Sequence, residues 1–211
     1  MNAGSPLLRV SRLVLALLLP ASIFAPLHAT TVLPPDFDQL VNDSDYVVRA
    51  VVESVRASYR DGPQGRLIVT TVRLRLREVA VGQPPTTLEL EMLGGQIGDD
   101  RLIVNGAPVF TPGEDDFVFV RDNGRSITPL VALMHGRYRV LRDAATGREF
   151  VARENRVPLQ DVAEIALPLA TGEVAARLRR AIDPADALSP AEFTAQIRAI
   201  RRPDHVRQKA R

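Results

Sequence analysis

Between Ile68 and Arg77 the chain alternates without a break: Ile68, Thr70, Val72, Leu74 and Leu76 fall on one face, Thr71, Arg73, Arg75 and Arg77 on the other. A helix would scatter these apolar residues around its axis. Only an extended strand with one buried face keeps them together. Leu88, Leu90 and Met92 repeat the pattern, with Glu89 and Glu91 turned outward. Paired with each other, the two strands set arginines against glutamates, at about 0.2–1 kcal/mol per cross-strand pair. Register is the larger consequence, because a slip of one residue would turn the leucines into water.

The same reading extends from Tyr46 to about Arg153. Tyr46–Ala57 is rich in valine, and Arg60–Gly65, "RDGPQG", has the residues of a connecting turn. Phe117–Val120 is apolar on both faces, as in a strand covered from both sides. Ile127–Leu133 and the pair Arg137–Arg142 with Arg148–Arg153 complete the set, the last two joined by "DAATG". Short strands with turn chemistry between them predict a mainly β domain, a small, partly open barrel of the oligonucleotide/oligosaccharide-binding (OB-like) shape.

Helices are expected at its ends. "PPDFDQLVND" supplies a short N-terminal helix with Phe37, Leu40 and Val41 inward. Thr171 is placed to cap Gly172–Ile182, where Val174, Leu178 and Ile182 recur at four-residue spacing. In "SPAEFTAQIRAIRRP", Ser189 and Glu192 form a capping box, Pro190 opens the helix, and Phe193, Ile197 and Ile200 make one stripe. From Glu173 onward nine basic residues accompany five acidic ones, an excess that docking on an acidic barrel would balance.

The first residues belong to transport. Arg9 and Arg12 precede the apolar run Leu13–Leu19, Pro20 interrupts it, and no acid occurs before Asp36. A basic start, a short apolar centre and small residues beyond it predict a secretory signal peptide over residues 1–29, cleaved after Ala29. Residues 30–171 then form the barrel domain, 172–202 a helical extension packed on it, and 203–211 a flexible tail. The whole chain carries 27 Lys+Arg and 25 Asp+Glu; the leader takes two arginines with it, so the mature protein is balanced. It has no cysteine, so stability rests on burial without disulfides. A secreted or periplasmic protein with no stable membrane insertion is expected.

The stretch Met92–Asp100, "MLGGQIGDD", is where a functional loop would sit. As a phosphate cradle it lacks the helix that must follow the glycines. Asp99, Asp100, Glu114, Asp115 and Asp116 do not follow the ordered spacing of a calcium loop, and turns select such residues anyway. Gly94 and Gly95 are therefore read as the bend that reverses the chain at the barrel rim. His135 and His205 are the only histidines after the leader, which gives zinc too few ligands. Ser126, the serine nearest His135, has no nucleophile elbow around it. No catalytic, cofactor-binding or metal-binding set is expected. Nucleic acid is disfavoured by charge balance and by three tyrosines with no tryptophan.

Three segments, "LVNDSDYVVRAVVESV", "LEMLGGQIG…FTPGEDDFVFV" and "LSPAEFTAQIRAI", carry a resemblance. With them the chain resembles a group of exported bacterial proteins that share a helix-into-strand opening, a Gly-Gly turn, a P-G-E/D strand entry and a terminal helix. No activity is assigned to that group, so the resemblance transfers no functional residue. The barrel layout is also similar to the netrin-like domain of metalloproteinase inhibitors. Those act through an N-terminal cysteine, which this chain lacks, so the similarity extends to shape alone.

Two functions follow as expectations. The first is a non-enzymatic binding or accessory module acting on another exported protein through the Gly94–Asp116 region. The second is a small-ligand or hydrolytic site at the rim, built from His135, Asp99 and Asp100 beside Gly94 and Gly95.

Overall fold

The computed structural model describes residues 33–62 and 65–201. The leader, its cleavage point at Ala29, the Pro63-Gln64 pair, His205 and the C-terminal tail lie outside the described residues. Helix α1 spans Phe37–Asn42, followed by β1 (Tyr46–Gly62), β2 (Gly65–Val81), β3 (Leu88–Leu93), β4 (Gly95–Ile97), β5 (Asp100–Leu102), β6 (Asp115–Val120), β7 (Arg137–Arg142) and β8 (Glu149–Arg153). Helices α2 (Gly172–Ala181) and α3 (Pro190–Ile200) close the chain. The structure is mainly β. Six strands form one antiparallel sheet in the order β3-β2-β1-β6-β7-β8, and β4 and β5 form a small second sheet. Among the described residues no pairing joins β3 to β8, so the large sheet is open at both edges.

The alternation sets the register. Leu74 lies opposite Leu88 and Val72 opposite Leu90, all four buried. Arg73 lies opposite Glu89, but most ion pairs of the outer face run elsewhere. Arg73 and Arg75 both reach Glu53 of β1 at 3.4 Å, and Arg60 pairs with Glu91. The long β1–β2 hairpin shifts register between Val47 and Val48, Arg49 and Ala50, and Val52 and Ser54. Such irregularities bend a strand and increase its twist. The first part of β1 pairs with β6, and the remainder carries β4.

Around β6 both faces of the sheet are covered. Phe117 and Phe119 of β6 point to one core with Val47, Tyr138, Val151 and the helices; Val118 and Val120 point to the other with Val48, Leu74 and Leu90. Phe193 of α3 occupies the centre of the first, with ring centroids 5.1 Å from Phe117, 5.3 Å from Tyr138 and 6.0 Å from Phe37. The Ser189–Glu192 capping box fixes the start of α3. Arg198 and Thr194 bind Glu78 of β2 at 2.9 and 3.2 Å, which holds the helix to the sheet. Arg49 clamps a further corner, forked onto Asp115 at 3.0 and 2.8 Å and reaching Glu149 at 2.8 Å.

Three local expectations are corrected. Ile127–Leu133 is not a strand: a single bridge joins Leu130 to Val120, Pro129 has no N–H to donate, and Ala132 and Leu133 turn to φ of 51° and 56°. The chain does not reverse at Gly94–Gly95; the turn between β4 and β5 is at Gly98–Asp99, where Gly98 has φ 57°. Thr171 stands at the start of α2 but its side chain makes no capping bond. There only Ala175 is buried, leaving Val174 59% exposed.

These environments separate two apolar residues that periodicity treats alike. Phe193→Ala should cost about 3–5 kcal/mol, whereas Val174→Ala should fall within about 0.5 kcal/mol of wild type, as measured by urea denaturation.

Candidate functional site

β3 ends at Leu93, and the next two residues take backbone conformations that favour glycine: Gly94 has φ 105° and Gly95 φ 141°. The Gly94 N–H donates to the Ile68 carbonyl at 2.8 Å, and Thr70 Oγ1 donates to the Gly94 carbonyl at 2.6 Å. A Cβ on Gly95 would lie 2.5 Å from Thr70 Oγ1 and 3.3 Å from the Ala57 Cβ. Gly95 thus lets β4 lie close against the β1–β2 hairpin, a contact that a side chain there would lift, while a Cβ on Gly94 would lie 3.0 Å from the Leu102 carbonyl.

After β5 the chain returns through residues 103–110. A groove of about 410 Å³ forms between this segment and the strands beneath it, with Val55, Met92 and Phe110 among its apolar lining. Ile103 and Val109, also in its lining, are 62% and 78% exposed. Arg101 is the one charged residue among those lining it.

Of the residues singled out in the sequence, Gly94 and Gly95 line this groove. Asp99 sits in the β4–β5 turn, and Asp100 accepts a hydrogen bond from the Tyr59 hydroxyl; neither is part of the lining. His135 is buried in a 3-10 turn, Leu133–Gly136, where its N–H donates to the Ala132 carbonyl at 3.1 Å. It too lies outside the groove lining. Ser126 Oγ donates to the Thr128 carbonyl at 2.9 Å. The acids Glu114, Asp115 and Asp116 face arginines, and among the described residues no group of three His, Asp or Glu is arranged to hold a metal ion.

The feature that sequence reading missed lies behind the groove wall. Arg137, fully buried, donates through Nη2 to Glu114 at 2.6 Å and Asp116 at 2.7 Å. Through Nη1 it donates to the Val109 carbonyl at 2.7 Å and to Glu154 at 3.3 Å. Its guanidinium stands 4.0 Å over the Phe110 ring, and Arg139 also pairs with Glu114. Arg137 therefore holds both the backbone of Val109 and the ring of Phe110. The signal was present as "RYR" at 137–139: alternation puts both arginines on one face, across from the acids that open β6.

Three buried atoms of this cluster have no hydrogen-bond partner: Asp116 Oδ1, Arg137 Nε and Glu154 Oε2. Burial pushes the Glu154 carboxyl up to about 7, against the opposing pull of Arg137, Arg139 and Arg156, with Asp116 adding to the rise. Burial also raises Asp116, and Arg137 opposes it.

No protein-family model matches the chain, and no curated protein matches it either.

Arg137→Met, which keeps an unbranched though shorter stem and removes the charge, leaves the buried Asp116 without its hydrogen-bonding cation. It should cost about 3–5 kcal/mol in chemical denaturation. Glu154 sets a second expectation. Its ordinary value is 4.5 and its folded value about 7, so between these limits the folded protein binds the extra proton. The contribution of Glu154 to stability should be largest on the acid side and decline as pH rises through this window. Melting curves of wild type and Glu154→Gln across the window should differ in slope, with the variant the flatter of the two.

Proposed function

We propose that this chain is an exported, non-enzymatic binding module that engages another exported protein through the groove over Gly94 and Gly95. The observation that carries the reading is the groove itself: it is concave, mostly apolar and bordered by Ile103 and Val109 in solvent. Its volume falls within the ~300–1,000 Å³ typical of binding pockets. The occupant with the right chemistry is an extended segment bearing small or branched apolar side chains, with an acceptor or carboxylate near Arg101. The module's frame in this proposal is a curled sheet of partly open, OB-like barrel shape. Export depends on residues 1–29, with the mature protein starting after Ala29. No described helix is long and apolar enough to cross a membrane.

The wall is suited to the task because its backbone is anchored. Arg137 holds the Val109 carbonyl, so the exposed side chain is presented from a fixed position and less ordering entropy is lost on binding.

A photoreactive phenylalanine analogue placed at Val109 tests this in the intact cell envelope, with the same probe at Ala144 in the β7–β8 loop as control. A discrete adduct with one exported protein is expected from Val109 alone. Identical adducts from both positions, or none from Val109, would remove the proposal.

A further inference from the structure

The groove wall and the buried cluster share one nitrogen. Arg137 Nη1 carries two hydrogens, one directed at the Val109 carbonyl at 2.7 Å and the other at Glu154 Oε1 at 3.3 Å. Nη2 is held on the far side by Glu114 and Asp116. Glu114 in turn accepts the Thr111 N–H at 2.9 Å. The wall segment is thus tied to the cluster at Val109, Phe110 and Thr111.

We propose that Glu154 is a proton-operated hold on the groove wall: while its carboxyl is neutral the Val109–Thr111 wall stays closed on Arg137, and when it ionises the wall opens to water. The regulatory meaning of this hold rests on the docking reading of the groove; the structural device does not.

The geometry supplies the mechanism. The charged groups facing Glu154 are Arg137 and Arg139 from β7, Asp116 from β6 and Arg156 from its own turn, with Glu114 joined to them through the arginines. Glu114, Asp116 and Glu154 supply three negative charges against the two of the buried Arg137 and Arg139, while Arg156 is exposed to solvent. Glu154 is the acid held least firmly, since Oε1 has one long contact and Oε2 has no partner. As a neutral acid it withdraws little of the guanidinium's charge, leaving Arg137 to the Val109 carbonyl and the Phe110 ring.

Once ionised, Glu154 is a buried carboxylate with an unsatisfied oxygen, and water is the nearest remedy. Entry of water would also satisfy Asp116 Oδ1 and Arg137 Nε. Opening hydrates Glu154 and returns it toward its ordinary acidity, so opening releases a proton and rising pH drives it. For full hydration the opening equilibrium rises up to about tenfold per pH unit between 4.5 and about 7. Beyond that window it levels off.

Hydrogen exchange of the full-length protein reads this directly. The amides of Ala107, Thr111 and Gly113 are bonded to the Val104 carbonyl, Glu114 and the Val52 carbonyl, so the segment has protection to lose. After correction for intrinsic exchange, its protection should fall by up to about tenfold per pH unit across the window in wild type. It should be markedly flatter in Glu154→Gln. The β2 segment around Val72–Leu74, which is buried and exchanges through global unfolding, should stay better protected than the wall at every pH. Equal pH dependence in wild type and variant, no dependence in wild type, or wall protection equal to that of β2 would each overturn the proposal. If the variant does not fold, the wild-type profile decides alone, by whether the wall exchanges ahead of β2 as pH rises. No partner is needed, so failure here leaves the docking proposal standing, and failed cross-linking leaves this one standing.

Discussion

Every other feature of this fold answers to the burial of β6 on both faces. Phe117, Val118, Phe119 and Val120 are all fully enclosed, so the sheet needs two covers. One is built from helices: α1 and α3 bring Phe37, Leu40, Phe193 and Ile197 against Phe117 and Phe119. The other comes from the sheet's own long hairpin and from loops that fold back with Phe110 and Leu130. With no disulfide available, these two apolar layers carry the stability. The second cover creates the groove, because a loop laid across strands leaves a gap wherever its side chains turn outward.

The polar cost of this arrangement collects at one end of β6. Asp116, second in the strand, lies on the same face as Val118 and Val120, where solvent does not reach, and Arg137 reaches it from the neighbouring strand. Burial of an ion pair is often no better for stability than apolar residues of similar volume, because both charges lose their water. Here three atoms remain without partners even after five charged side chains have converged. A cluster that is incompletely satisfied is a poor clamp and a sensitive one. What it gains is position: the guanidinium plane ties a loop carbonyl, an aromatic ring and two strands together, with a fixed geometry that a leucine could not supply.

Much of the frame was legible because its signals are local. Period-two alternation located β2 and β3 and fixed which residues face inward, and the Ser189–Glu192 pair marked the start of α3 within one residue. Other features depend on the environment. Val174 and Leu178 recur like core residues, yet Ala175 is the one residue that α2 buries, and periodicity does not say which neighbour is present. Ile127–Leu133 has the composition of a strand, but the loop geometry at Ala132 and Leu133 overrides it. The glycines at 94 and 95 were visible as a pair that a bend requires; their contact with Thr70 and Ala57 was not. Arg137 was hidden for the same reason, since an arginine in a strand reads as a solvent-facing residue until the acids across from it are placed.

The groove's energetics constrain its use. Isolated apolar residues on a surface are ordinary, and Val174 on α2 is one of them. Ile103 and Val109 differ because they border a concavity with Phe110 and Met92 at its floor. Burying two such side chains gives about 1.5–3 kcal/mol each, while association alone costs an estimated 4–15 kcal/mol. Those two contacts cannot hold a partner without help from the rest of the groove. An extended segment that fills the cavity along its length gathers enough area, whereas a flat surface touching only the two tips does not. A groove that depends on filling is also one whose affinity follows the position of its wall, and the arginine that holds the wall at Val109 is shared with Glu154.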